Sequence, residues 1–425
     1  MSGAAVATVL LAVFAWGLWS ARLGRADLTA PILFVTVGLL LSTGPVPDPE
    51  ATREAVRLLA EVTLVWVLFA DASRVGLPEF RADAGLYARL LAIGLPLTIG
   101  AGTLAAALLF GDAGFWTALL IGAALAPTDA ALGAAVMTDP SVPERIRRVL
   151  NVESGLNDGI ATPVVTLAIA GVAGAVTGPG AGVTGPGAGV SGPGAAVAGL
   201  AIGVAAGVTA GLVSGWAMRT ARNRGWASED FAGPGVLALA LAVYTGVHWL
   251  GGNGFVAAFV AGIAFGAAAG RGGTREVFYV EQTAGLVSLL TWLVFGAAAV
   301  PIVIAHTGWQ VVVYALLSLT VIRMLPVALA LLGSGMNSRT VSFVGWFGPR
   351  GLASIVFAVL AAEGLGPAAD QAVAVIGLTV LFSVFAHGLT AKPLAARYGA
   401  TANGTTAAPH LPARGLLHRH PARDP

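Results

Sequence analysis

The chain has 425 residues, of which 56% are hydrophobic and 10% charged, and a formal net charge of +2. So little charge cannot cover the surface of a water-soluble protein of this length, and so small a net charge gives no reason to expect a nucleic-acid partner. The absence of cysteine excludes disulfides, thiol catalysis and cysteine metal sites.

A helix that crosses a bilayer needs roughly 20 mostly apolar residues, and about thirteen segments meet that criterion. In chain order they cover 4–20, 28–43, 56–71, 86–110, 115–137, 149–174, 195–218, 233–250, 253–269, 282–305, 309–332, 340–361 and 371–391. The expected fold is therefore all-α and polytopic. No basic residue precedes the first segment, unlike a cleaved signal peptide, so it reads as a retained span. Alternate loops hold Arg22 and Arg25; Arg74, Arg81 and Arg89; Arg145, Arg147 and Arg148; Arg219, Arg222 and Arg224; Arg271 and Arg275; and Arg339. The C-terminal end adds Lys392, Arg397, Arg414, Arg419 and Arg423, whereas the intervening loops hold only Arg53 and Arg57. Basic residues mark the cytoplasmic side. The sequence thus predicts a multi-pass protein of the cell membrane with its N-terminus outside and its C-terminus inside. Residues 177–194, TGPGAGVTGPGAGVSGPG, read as a flexible linker on the outside. The transmembrane region is expected over 1–396, followed by a short, disordered cytoplasmic tail over 397–425.

Charged side chains in the middle of a bilayer cost about 2.5–3.5 kcal/mol each and are kept where they are paired, hydrated or useful. The fifth segment holds Pro127-Thr128-Asp129. Proline removes a backbone donor and clashes with the carbonyl four residues earlier, so the helix is expected to unwind near 123–128. Unwound backbone in a membrane is tolerated where it lines a cavity, and it can present carbonyl oxygens to cations. The bland alternative is a kink with a neighbouring helix cap. The sixth segment holds Glu153-Ser154-Gly155-Leu156-Asn157-Asp158. At about 100° per residue, Glu153 shares a face with Asn157 and Ser154 shares the next with Asp158. Hydroxyl, carboxylate and carbonyl oxygens suit hard cations; the alternative is an interfacial loop after Arg145, Arg147 and Arg148. Arg323 and Arg350 also fall within the membrane region. Arg323 is the natural partner for Glu153, and Arg350 either pairs there or snorkels to water after Gly348-Pro349. Asp71, closing the third segment, reads either as a site acid or as a surface acid beside Arg74. His248, His306 and His387 read as span-edge residues, with pH sensing as the sharper alternative.

These motifs together resemble cation:proton antiporter family 1, the group of NhaP-type bacterial antiporters and animal sodium/proton exchangers. Ala126-Pro127-Thr128-Asp129 resembles its unwound Thr-Asp helix. Glu153-Ser154-Gly155-Leu156-Asn157-Asp158-Gly159 resembles its Glu-Ser-x-x-Asn-Asp-Gly signature. Gly348-Pro349-Arg350-Gly351 resembles its Gly-x-Arg-Gly motif, Arg323 stands where the family keeps a membrane arginine, and Phe69-Ala70-Asp71-Ala72 is a weaker echo. The likeness covers about residues 1–396; the Gly/Pro repeat is an insertion, and a long regulatory tail is missing. The resemblance implies an inverted-repeat bundle with two crossing, interrupted helices, usually a homodimer. It further implies exchange of a monovalent cation, Na⁺ before Li⁺ or K⁺, for H⁺ in pH homeostasis, without cofactor or enzymatic activity. Asp158 and Asp129 would hold the cation or proton with Thr128, Ser154 and Asn157, supported by a Glu153–Arg323 pair, and Asn157 links the chain to electroneutral exchange. A cation channel is the first rival, and an intramembrane hydrolase using Asp129 and Asp158 a remote one.

Overall fold

A computed structural model describes residues 3–25, 28–42, 49–74, 83–130, 132–137, 139–177, 193–270 and 274–404, and its regular elements are all helices. They are α1 (Gly3–Arg25), α2 (Ala30–Leu41), α3 (Pro49–Ser73), α4 (Ala84–Leu109), α5 (Gly114–Ala124), α6 (Ala134–Met137), α7 (Glu144–Thr177), α8 (Pro193–Asn223), α9 (Glu229–Trp249), α10 (Gly254–Ala269), α11 (Thr274–Val294), α12 (Val300–His306), α13 (Trp309–Leu319), α14 (Val321–Ala330), α15 (Ser338–Trp346), α16 (Leu352–Leu365) and α17 (Asp370–Gly404). Among the described residues, eight stretches are long and apolar enough to cross a membrane. Leu352–Thr401 is one of these and holds the second half of the twelfth predicted span and the whole of the thirteenth. With the shorter α2 and α10, the charge-bearing α3 and the interrupted α5–α6, the thirteen predicted spans are accounted for. The apolar side chains of α1 are laid bare, Leu10, Leu11, Phe14 and Leu18 each being more than half exposed, as a lipid-facing helix requires.

Among the described residues, two spans unwind over several consecutive residues. The fifth stops at Ala124, runs without regular structure through 127–129 and resumes only as the short α6. The twelfth stops at Trp346 and restarts at Leu352. Pro127 and Pro349 explain both breaks, since neither can donate to a helical ladder. The broken spans are seven apart in order, an odd number, so they traverse the bundle in opposite directions.

Arginines of several of the basic loops pair across helices. Arg74 pairs with Glu281 at 2.8 Å and Arg222 with Glu276 at 2.9 Å. Asp83, with its side chain only 4% exposed, sits 2.7 Å from Arg145 and 3.0 Å from Arg148. Arg89 Nη1 donates to the carbonyls of Ala330 and Leu332 at the end of α14. Burial opposes ionisation of Asp83, but the hydrogen bonds from Arg145 and Arg148 outweigh it and hold the carboxyl below its ordinary range.

Elsewhere the helices meet through small residues. Gly203, Gly207, Gly211 and Gly215 place one backbone edge of α8 against α10; a Cβ at Gly207 would stand 2.6 Å from the Ala257 carbonyl oxygen, and one at Gly215 2.8 Å from Ala268 Cβ. Glycine at every fourth position is what lets membrane helices approach this closely.

Helix α17 runs on to Gly404, beyond the expected limit at 396. The added turns have a reason to be helical: Tyr398 is 9% exposed, stacks on Phe343 with ring centroids 4.1 Å apart and lies 2.9 Å from the Thr340 hydroxyl. The linker residues 178–192 and the tail residues 405–425 lie outside the described residues.

Candidate functional site

The two breaks lie against each other, and each supplies what the other lacks. Where α5 ends, its last carbonyls have no helical donor. Ser354 Oγ donates to Ala124 O at 2.6 Å, and Arg350 Nη1 donates to Ala126 O at 2.6 Å and Pro127 O at 3.0 Å. Where α16 begins, its free amides need acceptors, and Leu352 N–H donates to Asp129 Oδ2 at 2.8 Å. Asp129 N–H in turn donates to Pro349 O at 2.7 Å. A cation thus stands at the negative end of one helix and an anion at the positive end of the other, the favourable sense of both macrodipoles. Arg350 is fully buried, so it does not snorkel; its Nη1 is engaged by the unwound backbone.

Glycine is forced here by space. A Cβ on Gly351 would overlap the Asp129 carboxylate, and one on Gly348 would come within 2.5 Å of Arg323 Nε and 3.0 Å of the Thr128 methyl.

Helix α7 carries the other half of the site past the break. Ser154 Oγ donates to Thr128 O at 2.7 Å, and Asn157 Nδ2 donates to Thr128 Oγ1 at 2.7 Å. Thr128, Ser154, Asn157 and Asp158 are all buried. Asp158 Oδ1 and Asn157 Oδ1 are buried without a hydrogen-bond partner among the described residues, and such orphan acceptors require an explanation in a folded protein. One turn back, Glu153 Oε1 lies 2.7 Å from Arg323 Nη1, each side chain 3% exposed. Asp71 reaches the same place from α3: a Cβ on Gly155 would lie 3.5 Å from Asp71 Cβ. The fields of Asp71 and Asp129 both reach Asp158.

All nine residues singled out from the sequence therefore fall on α3, α7, α14 and the two breaks, around one centre. Ser354 and Ser383 were missed. Ser354 shares a helix face with Gly351, three residues away, which the Gly-Pro-Arg-Gly stretch could have suggested. The Ser383 hydroxyl accepts from Arg350 N–H at 2.6 Å, and nothing in the spacing of α17 announces that contact.

Membrane-length helices thus surround two unwound segments whose contacts gather oxygen atoms and buried carboxylates in one place, an arrangement of the broken-helix kind. The chain belongs to the family described as sodium/hydrogen exchanger, transmembrane, whose model matches residues 8–397. It is 26% identical over 371 residues to the K(+)/H(+) antiporter NhaP2 of Shewanella sp. (strain ANA-3), covering 87% of this chain and 62% of that protein. It is likewise 26% identical over 352 residues to the K(+)/H(+) antiporter NhaP of Alkalimonas amylolytica, covering 80% of this chain and 57% of the relative. The chain thus spans somewhat under two thirds of the length of these relatives. Its fold is similar to that of the sodium proton antiporter MjNhaP1 from Methanocaldococcus jannaschii at pH 8, with a TM-score of 0.74 at 18% identity, over 93% of this chain and 98% of that one.

Proposed function

We propose that the protein exchanges a monovalent alkali cation for H⁺, with Asp158 as the group that carries one or the other. The observation that carries this reading is the unpartnered carboxylate oxygen of Asp158, buried beside the unwound Thr128. An ionised carboxylate cannot stay unpaired in such a place without cost; a cation or a proton relieves it, and the two exclude each other. A cation there would be met by Asp158, the Thr128 carbonyl, the Ser154 hydroxyl and Asn157 Oδ1, a hard oxygen set. Asp129 holds the start of α16 with one oxygen and contributes its charge to the site. Arg350 and the Glu153–Arg323 pair fix the backbone around it. Exchange follows if Asp158 crosses only when loaded. One carboxylate that alternates between one cation and one proton makes the cycle electroneutral, and the neutral Asn157 beside it adds no second charge. The K⁺ named for the sequence relatives and the sodium named for the structural neighbour make these two ions the first to test.

The remaining features of the reading are a homodimer in the cell membrane with the arginine-bearing loops in the cytoplasm, where basic loops are retained.

Purified protein in proteoliposomes, with a pH-sensitive dye inside, tests the exchange. Addition of Na⁺ or K⁺ should move protons in the opposite direction without a membrane potential. Asp158→Asn should reduce that movement at least about 100-fold, the scale set by losing the one group that makes the coupling, and leave the protein folded. Retained exchange in this variant would falsify the carrier role, and uncoupled, non-saturating cation flux would make the protein a channel.

A further inference from the structure

His387 sits on α17, 1% exposed, with both ring nitrogens engaged and no part in the exchange described above. Nε2 lies 2.9 Å from the Trp346 carbonyl oxygen. Nδ1 lies 2.9 Å from the Ser383 carbonyl and 3.2 Å from the Ser383 hydroxyl. A carbonyl only accepts, and a neutral imidazole has a single N–H. With the proton on Nδ1, the bare Nε2 would face the Trp346 carbonyl lone pairs with nothing between them. A proton on Nε2 makes the contact that joins α17 to α15 and sets up a row of bonds: His387 Nε2–H donates to Trp346 O, Nδ1 accepts from Ser383 O–H, and Ser383 Oγ accepts from Arg350 N–H, while Nδ1 also stands beside the Ser383 carbonyl of its own helix turn.

The ends of that row matter. Trp346 is the last residue of α15, and Arg350 lies just before α16, so the row begins on one side of the helix break and ends on the other. Trp346 is tied to α17 a second time through its indole N–H, which donates to Thr390 Oγ1 at 3.1 Å. We propose that Ser383 and His387 form a clamp on α17 that holds the two halves of the broken twelfth span in register, and that they are positioning residues for the ion site. The segment between the clamped points carries Gly348, Pro349 and Arg350. Its contacts run straight to the site: Pro349 O receives the Asp129 amide, and Arg350 caps the carbonyls of Ala126 and Pro127. The charged groups whose fields reach the ring are Arg350 and Arg323; α15 and its end present Trp346 and Phe347. A third positive charge beside these two guanidinium groups is disfavoured, and the contact that bridges the break needs only the proton on Nε2.

The inference rests on the exchange reading and is tested with the full chain in the same proteoliposomes, reading the apparent KM for Na⁺ or K⁺ and the maximal rate separately. Ser383→Ala and His387→Phe should each raise KM about tenfold, the equilibrium worth of one buried hydrogen bond, and the double variant should be no worse than the poorer single one. His387→Gln, whose amide can still donate to Trp346 O, should recover most of the loss. A residue with only a packing role would lower yield and thermal stability, leave KM unchanged and gain nothing from glutamine. Ser383→Ala removes a single hydroxyl and carries the test if His387→Phe does not fold. Wild-type exchange with unchanged KM in Ser383→Ala overturns the clamp; absence of exchange in the wild type overturns the earlier reading instead.

Discussion

Between α8 and α10 two helices touch backbone to backbone, through Gly203, Gly207, Gly211 and Gly215. At the crossing of the two broken spans the chains touch through side-chain hydrogen bonds to unwound peptide groups. In lipid there is little hydrophobic gain from bringing helices together, so association relies on close packing or on polar contacts. The glycine seam uses the first and needs no polar side chain. The crossing uses the second because its carbonyls are free, and they are free because Pro127 and Pro349 break the ladders. Close packing yields a rigid pair; polar pairing yields a place where an ion can substitute for a missing partner. The difference explains why buried charge stands at the crossing and not along the seam.

Three perturbations sharpen this contrast. The largest effect is expected from breaking the buried pair. Glu153→Ala or Arg323→Ala should each destabilise the protein by roughly 3–5 kcal/mol, because each strands a buried charge. The Glu153→Arg/Arg323→Glu swap should recover part of that loss in a thermal-melt cycle; additive losses without recovery would dissolve the coupling. An intermediate effect is expected at the seam. Gly207→Val drives a side chain into the Ala257 carbonyl and should cost about 1–3 kcal/mol, while the molecules that still fold keep wild-type KM for the cation. A raised KM there would show that seam and crossing are not separate in function. The smallest effect belongs to the arginine-bearing loops. The Asp83 carboxyl is held below its ordinary range by Arg145 and Arg148, so its folded pKa lies below the unfolded one. Its contribution is complete above about pH 4 and is lost as the pH falls through the folded value. Melting curves of Asp83→Asn should therefore lie below wild type at pH 7, by about 1 kcal/mol given the partial exposure of both arginines, and the gap should close below pH 4.

The periodicity and the arginine spacing made the span order legible, and proline made both breaks legible. The face shared by Ser154 and Asp158 was only half of the arrangement: Ser154 and Asn157, three apart, are the pair that grips Thr128. Spacing within one helix shows which residues share a side but not which neighbour stands opposite. The Glu153–Arg323 contact joins residues 170 positions apart, and pairing of lone charges suggested it where distance along the chain could not. The π-helical turn at Arg89–Gly94, the extension of α17 to Gly404 and the Trp346–His387 bond all depend on tertiary packing, and each escaped local reading.

Gly351 has a consequence for how such a protein can change. The room that a side chain would take at this position is already filled by the carboxylate of Asp129. Substitutions at the two positions are consequently not independent steps. A methyl group at 351 becomes admissible only after 129 has been shortened, and shortening 129 uncaps α16. Each single step passes through a damaged protein, and revertants of a Gly351→Ala strain would be sought first at position 129. The crossing is in this sense historically locked: its two strands can drift only together.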